Sequence, residues 1–147
     1  MIQNIKEILA IDTFSIRHPV LRSGKPIESC HFDGDNLETT KHFGLFHENN
    51  LVGVISIFKT RNPLFVEKSQ FQIRGMAILE HHQKKGFGEA LVKHGEDYIK
   101  QQNGTMIWFN ARIVAVGFYE KLGYQIIGDS FDIGDVGEHY VQFKKTG

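Results

Sequence analysis

The residues Gln83-Lys84-Lys85-Gly86-Phe87-Gly88 have the types and spacing to hold an anion. Glycines at a turn that opens a helix leave unpartnered backbone N–H groups, and the helix dipole puts partial positive charge there. Without a Cβ at Gly86 and Gly88 a phosphate can approach the backbone, and Lys84 and Lys85 add charge at the rim. The same glycines would serve a plain tight strand-to-helix turn. The stretch is not a P-loop, because no Gly-Lys-Ser/Thr follows. It is not a dinucleotide fingerprint either, because only one Gly-x-Gly is present and no βαβ unit opens the chain.

Other side chains could also do chemistry. Cys30, His31, Asp33, Asp35 and His42 invite a metal or cysteine-nucleophile reading. Their spacing fits no zinc template, Asp33-Gly34-Asp35-Asn36 is too short for a calcium loop, and no metal is expected. A turn of Asp/Asn/Gly type accounts for the segment. Cys30 reads as a buried or idle thiol, because sequence neighbours such as His31 rarely face each other productively. Arg17 and Arg22, near a turn, could hold a carboxylate or phosphate, or pair with the chain's own acids.

These groups sit in a chain of 147 residues, a length that fits one domain with a sizeable core. The 17 basic and 17 acidic side chains cancel, which disfavours nucleic-acid binding. No apolar run is long enough to span a membrane, and the N-terminus does not read as a signal peptide. The single cysteine excludes an internal disulfide, and a cytoplasmic location is expected.

The elements that would position the chemistry follow from pattern. Residues 2–9 can form a first strand, and Asp12 or Thr13 can cap a helix to about Leu21, kept short or kinked by Pro19. Residues 43–47 and 51–59 read as a hairpin turned by residues 48–50. In residues 69–79 apolar and polar positions alternate until Gly75-Met76, where the phase slips; a bulge there would bend the strand and free backbone groups. Phe87, Leu91 and Tyr98 mark a helix over about residues 86–102, stopped by Asn103-Gly104. Residues 105–109 read as a strand buried on both faces. Val114, Phe118 and Leu122 suggest a short helix over residues 113–122. Strands over residues 124–128 and 138–144 flank a turn at 132–137. The order is mixed α/β with a largely antiparallel N-terminal sheet.

Two motifs carry a family resemblance. Residues 74–88, Arg-Gly-Met-Ala-Ile-Leu-Glu-His-His-Gln-Lys-Lys-Gly-Phe-Gly, look like the strand, pyrophosphate loop and helix of the GNAT acyl-CoA-dependent N-acyltransferases. Residues 115–124, Ala-Val-Gly-Phe-Tyr-Glu-Lys-Leu-Gly-Tyr, resemble that family's Ala-x-x-x-Tyr-x-x-x-Gly-Phe. The resemblance implies one GNAT-like domain over residues 1–147, with a mixed central sheet whose splayed parallel strands hold acyl-CoA. It implies that the amides of Gln83, Lys84, Lys85, Gly86, Phe87 and Gly88 hold the pyrophosphate of acetyl-CoA. The backbone of Met76, Ala77 and Ile78 would hold the pantetheine arm, with Ile107–Asn110 across the gap. It also implies that Tyr119 points at the sulfur and acts as general acid. The base is left open among Glu80, His81, His82 and His139, since imidazole suits proton transfer near neutrality and many family members use a water chain. The family's Asn-x-x-Ala has Arg112 at the Asn position, so the CoA contact falls to Asn110 from a shifted position or is absent, and Arg112 could reach a CoA phosphate instead. The implied activity is acetyl transfer from acetyl-CoA to a primary amine by direct attack in a ternary complex; a non-catalytic acyl-CoA sensor is the alternative. The acceptor, a small molecule or peptide amine, is expected between residues 17–42 and 131–140, where Asp33, Asp35 and Glu38 would suit a cation. A homodimer is the family-based expectation, with no nucleic-acid or membrane partner.

Overall fold

The computed structural model describes residues 3–146, apart from the side chains of Gln3 and Asp135. Ile2, placed by sequence in the first strand, lies outside the described residues. Strands β1 (Gln3–Ile8), β2 (Lys41–His47), β3 (Asn50–Phe58), β4 (Gln70–Ile78), β5 (Met106–Arg112), β6 (Gln125–Ile133) and β7 (Gly137–Lys145) form one sheet of order β1-β2-β3-β4-β5-β7-β6. All neighbours are antiparallel except β4 and β5. That parallel pair needs a crossover, and α2 (Phe87–Gln101) supplies it. Helix α1 (Phe14–Leu21) joins β1 to β2, and α3 (Val116–Lys121) joins β5 to β6.

The two helical layers explain the apolar run of β3. Ile55 and Ile57 pack with Phe71, Ile73, Leu91 and Ile99 in the α2 core, whereas Val54 packs with Ile16 and Ala77 under α1. A strand buried on both faces has no polar side to display. The β2–β3 turn has Glu48 at φ 51° and Asn49 at φ 70°, the positive pair that a two-residue hairpin loop requires.

Three elements differ from expectation. Helix α1 does stop at Leu21 with Pro19 inside it, but it is preceded by a 3-10 turn, Ala10–Thr13. The helix expected over residues 113–122 is a 3-10 turn, Ile113–Ala115, followed by the shorter α3, and Val114 and Phe118 are exposed. Strands β6 and β7 run further than apolar pattern indicated. Their ladder includes Asp132 paired with Glu138, a backbone pairing that hydropathy does not report, and Ile127 and Phe131 pack beside Val141 and Trp108.

Candidate active site

The parallel pair closes only at one end. Gln70, Phe71 and Gln72 stand opposite Met106, Ile107 and Trp108, and from Ile73 and Phe109 onward β4 and β5 no longer pair with each other. The cause lies in β4. Val54 faces Ala77 and Ser56 faces Arg74, so β4 spends one residue more than β3 over the same span. This is the bulge expected at Gly75-Met76, with Gly75 at φ 64°. A β-bulge bends its strand, here away from β5. Space is equally restrictive: a Cβ on Gly75 would lie 2.9 Å from the Phe32 ring. The resulting cleft has a volume of about 720 Å³.

At its mouth Gly86 caps α2 at φ 82°, following Lys84 at φ 62°. Nothing lies within 4 Å of a Cβ placed on Gly86, so its outer side is open. Helix α2 is long enough to carry a dipole, and its first turn leaves N–H groups without helical partners. Gln83 ties the loop to β4, donating from Nε2 to the Ile78 carbonyl at 2.9 Å. That carbonyl, expected to meet pantetheine, therefore already accepts one bond. Met76, Ala77, Ile78, Gln83, Lys84, Gly86, Phe87 and Gly88 all border the cleft, while the exposed Lys85 does not.

Strand parity sorts the wall onto two sides of the sheet. Phe109 and Ala111 face α2 and α3; Trp108, Asn110 and Arg112 face the other way, with Arg112 opposite His139. Tyr119 is on the α3 side, its ring 4.4 Å from that of Phe109. Gln142 donates to the Val116 carbonyl at 3.3 Å, and Lys144 donates to that of Leu122 at 2.8 Å, so α3 is held at both ends. Burial pushes the Tyr119 hydroxyl up to about 12, so it keeps its proton throughout the neutral range. His139 is on the other side, buried. Its Nδ1 lies 2.8 Å from the Gly137 carbonyl; a carbonyl only accepts, so Nδ1 carries the proton and Nε2 is the basic nitrogen.

Asn110 and Arg112 both line the cleft at exposed positions, on the His139 side. Glu80 and His81 are exposed and outside the wall. His82 borders the cleft and packs against Phe87 and His47; burial first, then Lys85 and His47, holds its pKa down. Among the described residues no group of three or more His, Cys, Asp and Glu is placed to hold a metal ion.

Sequence reasoning placed the acceptor against residues 17–42 but missed the side-chain network that builds that wall. Arg17, fully buried, grips Asp35 through two bonds of 2.7 and 3.1 Å and donates to the carbonyl of Cys30 and to Ser56 Oγ. His42 Nε2 must donate to the Asp35 carbonyl, so its Nδ1 accepts from Ser56 Oγ at 2.7 Å. A neutral imidazole results, in keeping with a pKa lowered mainly by burial. Of the cationic-acceptor candidates, Asp35 is thus consumed internally, and Asp33 and Glu38 are exposed and off the cleft wall. Cys30 is buried, and burial raises its thiol. The one signal in sequence was the pairing of Arg17 with an internal acid; no local pattern marks Phe32 or Arg74 as wall.

The comparisons agree with this geometry. The description "Acetyltransferase (GNAT) family" belongs to a family model matching residues 5–124. An uncharacterized N-acetyltransferase, YitI of Bacillus subtilis, is 36% identical over 140 residues, covering 95% of this chain and 94% of the relative. Among solved structures, an aminoglycoside 6'-N-acetyltransferase complexed with coenzyme A superposes with a TM-score of 0.77 at 15% identity, covering 99% of this chain and 97% of the other. The ribosomal-protein-S18-alanine N-acetyltransferase of Escherichia coli gives 0.75 at 16% identity, covering 98% and 94%. At such identities these two likenesses speak for the fold. With the matched family model and the YitI relative beside the splayed strands and glycine loop, the chain belongs to the GNAT acetyltransferase family.

Proposed function

We propose that this protein transfers an acetyl group from acetyl-CoA to a primary amine by direct attack in a ternary complex, as one domain. The observation that carries the reading is the cleft that crosses the sheet. It has the glycine loop at its mouth, Tyr119 on one face and His139 on the other. The Gln83 N–H already donates to the Glu80 carbonyl at 3.2 Å, so the loop amides of residues 84–88 would hold the pyrophosphate, and the bulged edge of β4 at Met76–Ile78 would accept the pantetheine arm as an added strand. Asn110 or Arg112 would add a contact from β5. A binding-only sensor would have no need of an acid and a base on opposite faces.

Chemistry then divides between the faces. His139 Nε2 takes the proton that makes the amine nucleophilic. The amine nitrogen first forms its bond to the acetyl carbon, pushing the carbonyl electron pair onto oxygen, where a β4 backbone N–H steadies it; the C=O then re-forms as the C–S bond breaks. Tyr119 donates to the departing sulfur. An ordinary phenol (about 10) and thiol (about 8.5) differ by about 1.5. Burial pushes Tyr119 up to about 12, which widens that gap. Donation is then uphill against an ordinary thiolate and is driven by the collapse of the tetrahedral intermediate as charge develops on the sulfur. Glu80, exposed and away from the cleft, takes no part in this scheme.

Thermal unfolding with and without acetyl-CoA tests the reading. At about 100 times its dissociation constant the ligand adds roughly 2.7 kcal/mol, several degrees for this size. Gly86→Glu, which places a carboxylate where the phosphates would sit, should abolish the shift. An unmoved melting temperature in the wild-type protein would sink the proposal.

A further inference from the structure

We infer that the amine acceptor also carries an anionic oxyacid group, a carboxylate or a phosphate, which docks on Arg22 and Arg74 beside Phe32; this rests on the acetyltransferase reading above. Three guanidinium groups crowd the Phe32 ring. Arg17 lies 3.8 Å from its centroid, Arg74 4.8 Å and Arg22 5.2 Å. Among the described residues only Arg17 of the three has a carboxylate partner, Asp35. Among the described residues Arg22 makes one hydrogen bond, to the Leu21 carbonyl, and neither Arg22 nor Arg74 has an ion pair. Two uncompensated cations held beside a third is a cost in a half-buried site, and a bound anion relieves it. Burial first, then Arg17, lowers the pKa of Arg74, against Asp35 and Asp33, which raise it, with Arg22 adding to the lowering.

The placement is that of an acceptor site. Arg74 immediately precedes the bulge glycine and faces Ser56 on the α1 side of β4. Arg22 ends α1. Both line the cleft, as does Arg112 opposite His139 on the same side of the sheet. The wall holds one carboxylate among the described residues, Glu89, which belongs to the first turn of α2 on the other side. The Phe32 platform is rigid, because its backbone N–H donates to Asp35 Oδ2 at 2.9 Å and Arg17 holds the same carboxylate. Arg17 Nε is also buried without a partner, and it would lie 3.2 Å from a Cβ on Gly75. A further unspent donor therefore sits at the bulge. Guanidinium forks match carboxylates and phosphates bidentately. A polyamine or an aminosugar without an acid group would bring no anion to Arg22 and Arg74. A cleft of about 720 Å³, shared with the acetyl-CoA arm, suits an acceptor of amino-acid size.

The test compares matched amines by release of the CoA thiol: L-amino acids against their amides and decarboxylated counterparts, O-phosphoethanolamine against ethanolamine, with spermidine and glucosamine beside them. The expected result is a preference of about 10-fold or more in kcat/KM for the anionic member of each pair. The two pairs separate carboxylate from phosphate. Arg74→Gln and Arg22→Gln should each erase about 10- to 100-fold of the preference, chiefly through KM, with the acetyl-CoA-induced melting shift retained. The Arg22 variant, at a helix end, covers the case in which Arg74→Gln does not fold. Equal turnover of the uncharged members, or a preference that survives both substitutions, would overturn the inference while an intact acetyl-CoA shift left the acetyltransferase reading standing. Should no amine turn over, calorimetric titration of the CoA-saturated protein with amino acids and O-phosphoethanolamine decides: no heat from either overturns it. A missing acetyl-CoA shift strikes the acetyltransferase reading instead.

Discussion

Tyr119→Phe separates catalysis from packing at one atom. Among the described residues the Tyr119 hydroxyl makes no hydrogen bond, while its ring is packed against Phe109, Phe118 and Tyr124. Phenylalanine keeps those ring contacts, so stability at pH 7 should change by no more than about 0.5 kcal/mol. If the hydroxyl is the proton donor to sulfur, kcat should fall about 100-fold or more, with the KM for acetyl-CoA nearly unchanged. An alkaline signature accompanies this. The phenol is pushed up to about 12 against an ordinary 10, which corresponds to about 3 kcal/mol in favour of the protonated folded state. Because the folded pKa is the raised one, that stability is fully present below pH 10 and is lost as pH climbs through about 12. The variant should therefore lose melting temperature less steeply across this window than the wild type. Tyr124→Phe is the control. Its hydroxyl donates to Glu96 Oε2 at 2.8 Å, so removal should cost about 1.5–3 kcal/mol and leave turnover alone. The assay is acetyl-CoA turnover on the best amine found, with melting curves from pH 7 to 12. Turnover within threefold of wild type in Tyr119→Phe refutes the assigned role, and equal alkaline slopes refute the buried phenol.

The two candidate bases should part clearly. His139→Gln is expected to lower kcat/KM about 100-fold, whereas Glu80→Gln should stay within threefold; the reverse order would move the base to Glu80. Asp35→Ala leaves Arg17 buried without its counter-ion and should cost about 3–5 kcal/mol in denaturant unfolding. Burial alone would raise the Asp35 pKa, but the Arg17 bonds and the Phe32 N–H outweigh it and lower it. The stability it supplies is therefore lost as pH falls below about 4, and the variant should show a shallower acid transition. His42 adds to the acid loss earlier, below its ordinary value of about 6.5, because its folded pKa is the depressed one. Gly75→Val demands a positive φ from a β-branched residue and a Cβ 2.9 Å from Phe32. It should cost about 1–3 kcal/mol by chemical unfolding and abolish acetyl-CoA binding, and a variant that still binds would show that the bulge is not what opens the gap.

What could be read in advance followed from local rules. The phase slip at Gly75-Met76 is visible because a strand side chain has only two faces to choose from, and the structure puts the extra residue there. The loop is visible because Gly86 must adopt a positive φ to cap α2. Val114 and Phe118 misled because helical spacing alone does not say whether a stripe is buried; here they border the cleft. Least legible was the far wall. Arg17 and Asp35 are 18 residues apart, and Arg17 and Ser56 are 39 apart, so no window of sequence contains the network they form. The charge at the acceptor end was therefore misjudged, since Asp35 reads as a free carboxylate until Arg17 is found against it.

The sheet itself explains why one cleft serves both reactants. Its N-terminal four strands and C-terminal three meet through only the register pairs Gln70–Met106, Phe71–Ile107 and Gln72–Trp108. Beyond them two strand edges diverge, and an open edge is normally a liability that folds cover or pair. Each flank here is wedged from a different side. Arg17 and Phe32 back β4 at the bulge, and Tyr119 stacks on Phe109 of β5. Closing the gap would require removing the bulge and displacing both wedges at once. The edge groups can then be satisfied by water or by an extended ligand with amides of its own. Such a ligand enters from the α2 end, where the loop holds its charge, and leaves its far end between the two faces of the sheet. In the proposed scheme an acceptor arriving from the α1 side would meet it there, past Arg22 and Arg74, with His139 on its own side and Tyr119 beyond. The same wedges that keep the sheet from closing thus position Tyr119, His139 and the Arg22–Arg74 pair, to which the proposed scheme gives the roles of acid, base and acceptor anchor.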